Sequence, residues 1–139
     1  MDIERYVTES ARFLGVTLKV SGAKYADISI SNDTDVISAI LLLLLMLLKR
    51  TANDGEIELE FKQSGSESIL LCLRAELRHR IELDGTAELA ECMRIASERN
   101  MMFDYFVSDD EHVSFEFSPS AVEWAHLGIK TRPVLEYDE

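Results

Sequence analysis

Few side chains in this chain of 139 residues are suited to catalysis: three histidines, two cysteines and a surplus of carboxylates. His79 stands in the run Arg78-His79-Arg80, with Glu76 and Glu82 on either side. That mixture of charges describes a solvated strand better than a general base. His112 and His126 have no cysteine or second histidine at ligand spacing, so a zinc ion would find no donor set. Asp109-Asp110-Glu111 places carboxylates side by side, but at a turn, where solvation and turn propensity account for them. Serines occur without a G-x-S-x-G elbow, and no G-x-x-x-x-G-K-S/T phosphate loop exists. Cys72 and Cys92 sit in the apolar strings LLCLR and ECMRI without C-x-x-C spacing, which reads as two buried thiols of a cytosolic protein. No catalytic, cofactor-binding or metal-ligating residue is nominated.

Charge narrows the partners. Lys and Arg total 14 against 26 Asp and Glu, a net charge of −12. Nucleic acid and anionic membranes both demand a cationic face, so neither is expected. A protein with a basic surface would be complementary, and a homodimer is a second option. The N-terminal MDIERYVTES lacks the basic and apolar regions of a secretion signal, so a cytoplasmic location is expected. With 47% hydrophobic and 29% charged residues, the chain has the make-up of one ordinary globular domain.

The elements that would carry any site follow from periodicity. Ile3, Val7, Ala11 and Leu14 recur at helical spacing up to Gly15. Val16–Val20 and Ala26–Ser31 alternate as strands. Asn32 to Asp35 supply capping chemistry for a long helix that ends near Thr51. Its centre, Ala39 to Leu48, is an unbroken apolar run (AILLLLLMLL). That falls short of the roughly 20 residues needed to cross a bilayer, so the helix is expected to be buried on every side. The absence of e and g charges argues against a zipper. Strands are predicted at 56–61 and 68–74, the second central by its denser apolar run, with 75–84 partly strand. A third helix spans about 86–100, with Leu89, Cys92, Met93, Ile95 and Ala96 inward, and strands follow near 102–107 and 112–118. Helix–strand–strand, three times over, predicts a two-layer α+β (α/β) sandwich. About three helices cover one face of a mixed, mostly antiparallel sheet. The other face, with Glu56, Glu58, Glu60, Lys62, Asp104 and Glu116, should be wet.

Several strings resemble one family. Leu89-Ala90-Glu-Cys-Met-Arg94-Ile95 through Asn100 is similar to the last helix of a histidine kinase catalytic domain, L-A-x-x-x-R-I-x-x-x-x-G. Met102 to Pro119 resembles its closing hairpin, with an F-x-F strand and a terminal proline. Asp35 to Phe61 resembles the helix and strand of the N-box, with Leu43-Leu44, Lys49 and Thr51 on the usual leucines, lysine and threonine. The resemblance, to the Bergerat-fold ATPases of histidine kinases, heat-shock chaperones, gyrase and MutL, covers about residues 16–119. It implies an ATP-binding sandwich.

The nucleotide motifs of that family are not matched. The asparagine that would hold Mg²⁺ corresponds to Met46, or to Leu45 or Leu47 if the register slips, and none offers the oxygen a hard cation requires. Where a D-x-G-x-G turn would anchor adenine, residues 74–79 read Arg-Ala-Glu-Leu-Arg-His. Only about ten residues stand in place of a mobile lid. The glycine-rich box is reduced to Asp84-Gly85-Thr86-Ala87-Glu88, a lone glycine between carboxylates that would repel phosphate.

The expected function is therefore a non-catalytic regulatory or scaffolding protein, with residues 1–119 as a degenerate kinase-like domain that binds proteins and not ATP. A phosphotransfer or two-component signalling protein, and residual nucleotide binding, are the alternatives. Residues 120–139 form a C-terminal extension with the only tryptophan. Trp124, Leu127 and Ile129 are the candidate interaction residues, expected to pack on the domain or on a partner.

Overall fold

In a computed structural model the described residues are 3–22, 34–53, 56–64, 68–78, 83, 85–108 and 111–118. Helix α1 (Ile3–Leu14) turns Ile3, Val7 and Ala11 inward, with Glu4 in its first turn and Arg12 in its last matching the helix dipole. Gly15, at φ 79, takes the left-handed conformation that closes the helix, and the Val16 amide donates back to the Ala11 carbonyl at 3.0 Å. Strand β1 (Leu18–Ser21) follows.

The apolar run becomes α2 (Thr34–Thr51). Its C-terminal carbonyls are well partnered. Thr51 Oγ1 donates to the Leu47 carbonyl at 2.8 Å, and the Arg78 amide donates to the Thr51 carbonyl at 2.9 Å. The remaining elements are β2 (Ile57–Ser64), β3 (Ser68–Glu76), α3 (Ala87–Glu98), β4 (Met102–Val107) and β5 (His112–Ser118).

The strands form one five-stranded sheet in the order β1-β2-β3-β5-β4. β1 runs parallel to β2, pairing Leu18 with Ile57, and the other neighbours are antiparallel. β3 lies in the middle, as its apolar density predicts. One sheet face supplies Ile57, Leu59, Phe61, Ile69, Leu71, Leu73, Phe103, Phe115 and Phe117 to a core that all three helices share. The helices thus make one layer and the sheet the other. The expected mixed, mostly antiparallel α+β sandwich is the observed fold.

Three expectations change in detail, besides that of Met93, which was expected to point inward from α3 and is 42% exposed. First, α2 is not buried on every side. Leu44, Leu45 and Leu47 are fully enclosed, but Leu42 and Leu43 are half-buried and Met46 is 41% exposed. A helix flanked by α1 and α3 and seated on a sheet has three covered sides, and the fourth faces outward. Second, the outer sheet face is wet only in part. Glu56, Glu58, Lys62 and Asp104 are exposed there, but Cys72, Met102 and Ser118 are buried. Third, the stretch after residue 75 keeps strand geometry only to Glu76, and then Leu77 bridges to Ala52. The strand expected at 26–31 lies outside the described residues, as do His79, His126 and the extension with Trp124, Leu127 and Ile129. Among the described residues, no helix is long and apolar enough to cross a membrane.

Candidate functional site

The three segments that would carry nucleotide chemistry come together at one end of the molecule. The last turn of α2 meets the end of β3 through the Ala52–Leu77 bridge, and it meets the first turn of α3 through an ion pair. In that pair Arg50 Nη1 and Nη2 donate to the two oxygens of Glu88 at 2.9 and 2.8 Å. The geometry is the bidentate fork that guanidinium and carboxylate planes favour. Glu88 also sits in the first turn of α3, where a negative charge suits the helix dipole. Thr86 occupies the N-cap, but its hydroxyl donates backwards to the Leu83 carbonyl at 2.9 Å and does not cap the helix. An arriving phosphate would therefore meet a carboxylate already held by Arg50 at this helix start.

Met46 does not face this junction. It lines a groove of 460 Å³ between α1 and α2, with Tyr6, Glu9, Ser10, Phe13 and Leu14 on one wall and Leu42 beside it. Phe13 is 90% exposed. The groove offers apolar surface and an aromatic side chain standing in solvent. Leu45 and Leu47, the neighbouring register choices, are in the core. Leu77, inside the segment that would hold an adenine anchor, is buried, and its amide donates to the Glu111 carbonyl at 2.7 Å.

A second, polar recess of 260 Å³ opens beside the end of α2, between Gly15–Thr17, Lys49, Ala52, Asn53, Ile57 and Arg78. Lys49 Nζ donates to the Leu14 carbonyl, the last carbonyl of α1, and Arg78 Nη2 donates to the Ala52 carbonyl at 3.2 Å. Both cations thus cap helix ends. Among the described residues, no group of three or more His, Cys, Asp and Glu side chains could share a metal ion. His112 is exposed on β5.

Burial dominates the thiols. Cys92 lies under α2, with its Sγ 3.8 Å from the Ile40 carbonyl, and burial pushes its pKa up to about 12. Cys72 is shifted upward by burial and then by the Glu116 carboxylate. Both are free, and neither is a poised nucleophile. On the outer face Arg74 Nη2 donates to Glu60 at 2.8 Å, which holds the Glu60 carboxyl below its usual range.

No protein-family model and no curated protein sequence matches the chain. Solved structures do. The histidine kinase domain from the blue-light activated histidine kinase of Erythrobacter litoralis EL346 superposes with a TM-score of 0.64 over 84% of this chain, at 9% identity. The histidine kinase AdeS of Acinetobacter baumannii gives 0.66 over 88%, at 14% identity. The mycobacterial sensor histidine kinase MprB gives 0.60 over 84%, at 10% identity, and 89% of that chain is covered. The fold is that of a histidine kinase catalytic domain. This Bergerat-type likeness spans 62% and 66% of the first two kinase chains, so those proteins carry further segments that it does not address.

Within the kinase-like fold, sequence reasoning found the helix, the strand end and the glycine box that meet at the α2–α3 junction. It missed the Arg50–Glu88 pair, whose partners lie 38 residues apart with no local pattern linking them. It also missed the outward turn of Met46. The only available signal was that charges flank the apolar run and none lies within it.

Proposed function

We propose that this chain is a non-catalytic regulatory or scaffolding protein of two-component signalling, which uses its kinase-like fold to bind another protein and does not bind ATP. The observation that carries this reading is the α1–α2 groove. Met46 and Leu42 line an apolar trough that also takes in the exposed Phe13. None of Leu45, Met46 and Leu47, the register choices for the family's asparagine, carries an oxygen donor, and Met46 adds apolar surface to the groove. The net charge of −12 favours a partner that sets apolar anchors in a basic surround.

Two experiments test the reading. With Mg-ATP at millimolar concentration the melting temperature should move by less than about 2 °C, because a ligand that binds only the native state must raise it. A larger rise would mean that the nucleotide site works. Phe13→Asp and Met46→Asp should abolish binding of a purified two-component partner and leave melting nearly unchanged, since both positions already face solvent. Full retention of binding by both variants would exclude the groove as the docking surface.

A further inference from the structure

The two edges of the sheet are built differently. β1 is only four residues long and carries Lys19. Shortness and a lysine both discourage a further strand from pairing with an edge. β4 is the other edge among the described strands, and it has neither protection. Its six residues, Met102–Val107, pair one to one with β5 without a bulge, and include no proline, glycine or basic side chain. The phase of that ladder is set by the Ser108 amide, which donates across to the His112 carbonyl at 2.8 Å. Alternation then turns the amides and carbonyls of Phe103, Tyr105 and Val107 away from β5. The Tyr105 amide agrees with this phase, since it donates to Oδ1 of Asp104 at 2.8 Å.

The side chains of this edge suit a visiting strand. Phe106 is 51% exposed and Val107 44% exposed. Phe103 enters the core, so Val107 shares the helical face with it and Phe106 lies on the outer face. An added strand would therefore find apolar surface on both of its faces. Asp104 stands beside Phe106 on the outer face, directly opposite Glu116 of β5. Like charges set opposite one another across a ladder repel. A residue of the added strand opposite Asp104 would lie about 4.8 Å from it and about 10 Å from Glu116, within reach of both for a long basic side chain.

We propose that β4 is a docking edge, which takes an extended segment of a partner protein as an added strand with a Lys or Arg set opposite Asp104. The outward amides and carbonyls of Phe103, Tyr105 and Val107 supply the main-chain hydrogen bonds of this strand addition. The incoming cation draws the Asp104 carboxylate off the Tyr105 amide, which releases that donor to the new ladder. Asp104 thus guards the edge in the unbound chain and selects a basic strand. A second copy of this chain is a poorer occupant. β4 contains no cation, so no register of β4 against itself neutralises Asp104, and the register centred there sets two carboxylates face to face. Each copy also carries a net charge of −12. The edge is separate from the α1–α2 groove, so its test can fail while the function proposed above stands.

Peptide binding to the full chain tests it. The probe is a dye-labelled heptapeptide, Val-Thr-Val-Lys-Val-Thr-Val, followed by fluorescence anisotropy. Replacing its lysine by glutamate should weaken binding about fivefold. In Asp104→Lys the preference should reverse, with the glutamate peptide binding more tightly, a gain that a misfolded variant cannot give. Methylating the backbone nitrogens on either side of the lysine, which face the edge, should weaken binding about tenfold. Methylating the lysine's own nitrogen, which faces away, should leave binding nearly unchanged. Equal effects of the two methylations would mean that side chains adhere without strand pairing, and overturn the proposal. Retention of the lysine preference by Asp104→Lys, or no binding of either peptide, overturns it too. Sedimentation covers the remaining occupant. Val107→Pro removes an outward amide and spares the ladder to β5. If the chain is a dimer that this variant dissociates, a second copy holds the edge and the proposal is refuted.

Discussion

The two faces of the sheet are written in alternate residues of the same strands, and they carry opposite chemistry. Along β3, Ile69, Leu71, Leu73 and Ala75 enter the core beneath the helices. Between them, Cys72 and Arg74 turn outward, where Arg74 meets Glu60 at 2.8 Å and Glu58 at 3.9 Å. The helical face is uniform: β2, β3 and β5 and all three helices bury apolar side chains there. The outer face is divided, charged over Glu58, Glu60 and Lys62, and closed over Met102 and Ser118. A period of two commits a strand to two surfaces, but only the partner layer decides whether a surface stays dry.

The strongest way to break the contrast is to put a charge on the dry side. Leu44→Asp should abolish folding, because an unpaired buried carboxylate costs several kcal/mol against a total stability of about 5–15 kcal/mol. A soluble mutant that melts cooperatively would show that α2 faces water. Next, Leu71→Ala should cost about 2–5 kcal/mol in chemical denaturation, by lost burial and the cavity left behind.

A pH titration sharpens the contrast. Cys92 has its folded pKa raised from 9.0 to about 12, so the folded state holds the proton more tightly than the unfolded chain. The contribution of this thiol to stability is therefore complete below pH 9.0 and is lost as pH rises toward 12. Between those limits the loss is about 1.4 kcal/mol for each pH step of one. Denaturant midpoints measured across that range should decline, and Cys92→Ala should flatten the slope. The smallest effect belongs to the wet side. Arg74→Ala should cost less than about 1 kcal/mol, since its ion pairs are largely solvated. A loss comparable to that of Leu71→Ala would mean that the charged half of the face is also enclosed.

Much of the fold was legible because the local signals agreed. Ile3, Val7 and Ala11 at helical spacing, Gly15 after them, and the alternation of Glu56 to Phe61 each admit one regular structure, and the neighbouring segments are consistent with it. The same local view misjudges α2. Ten apolar residues in a row carry no information on which side lacks a neighbour, so periodicity alone puts Met46 inside. The Arg50–Glu88 pair was invisible for a related reason: long-range pairing of charges depends on how two helices are set side by side, and no short pattern records it.

Local patterns were enough to specify the elements, the sidedness of each strand and the residues available at the α2–α3 junction. Those follow from backbone sterics, the periods of helix and strand, and side-chain chemistry, which are properties of neighbouring residues. Packing between distant elements was needed to turn Met46 into a groove with Phe13, to hold Glu88 on Arg50, and to shield Met102 and Ser118 on the face expected to be wet. Burial is a relation between a surface and whatever lies across from it. It is settled by packing elements distant in sequence, where local periodicity has no reach.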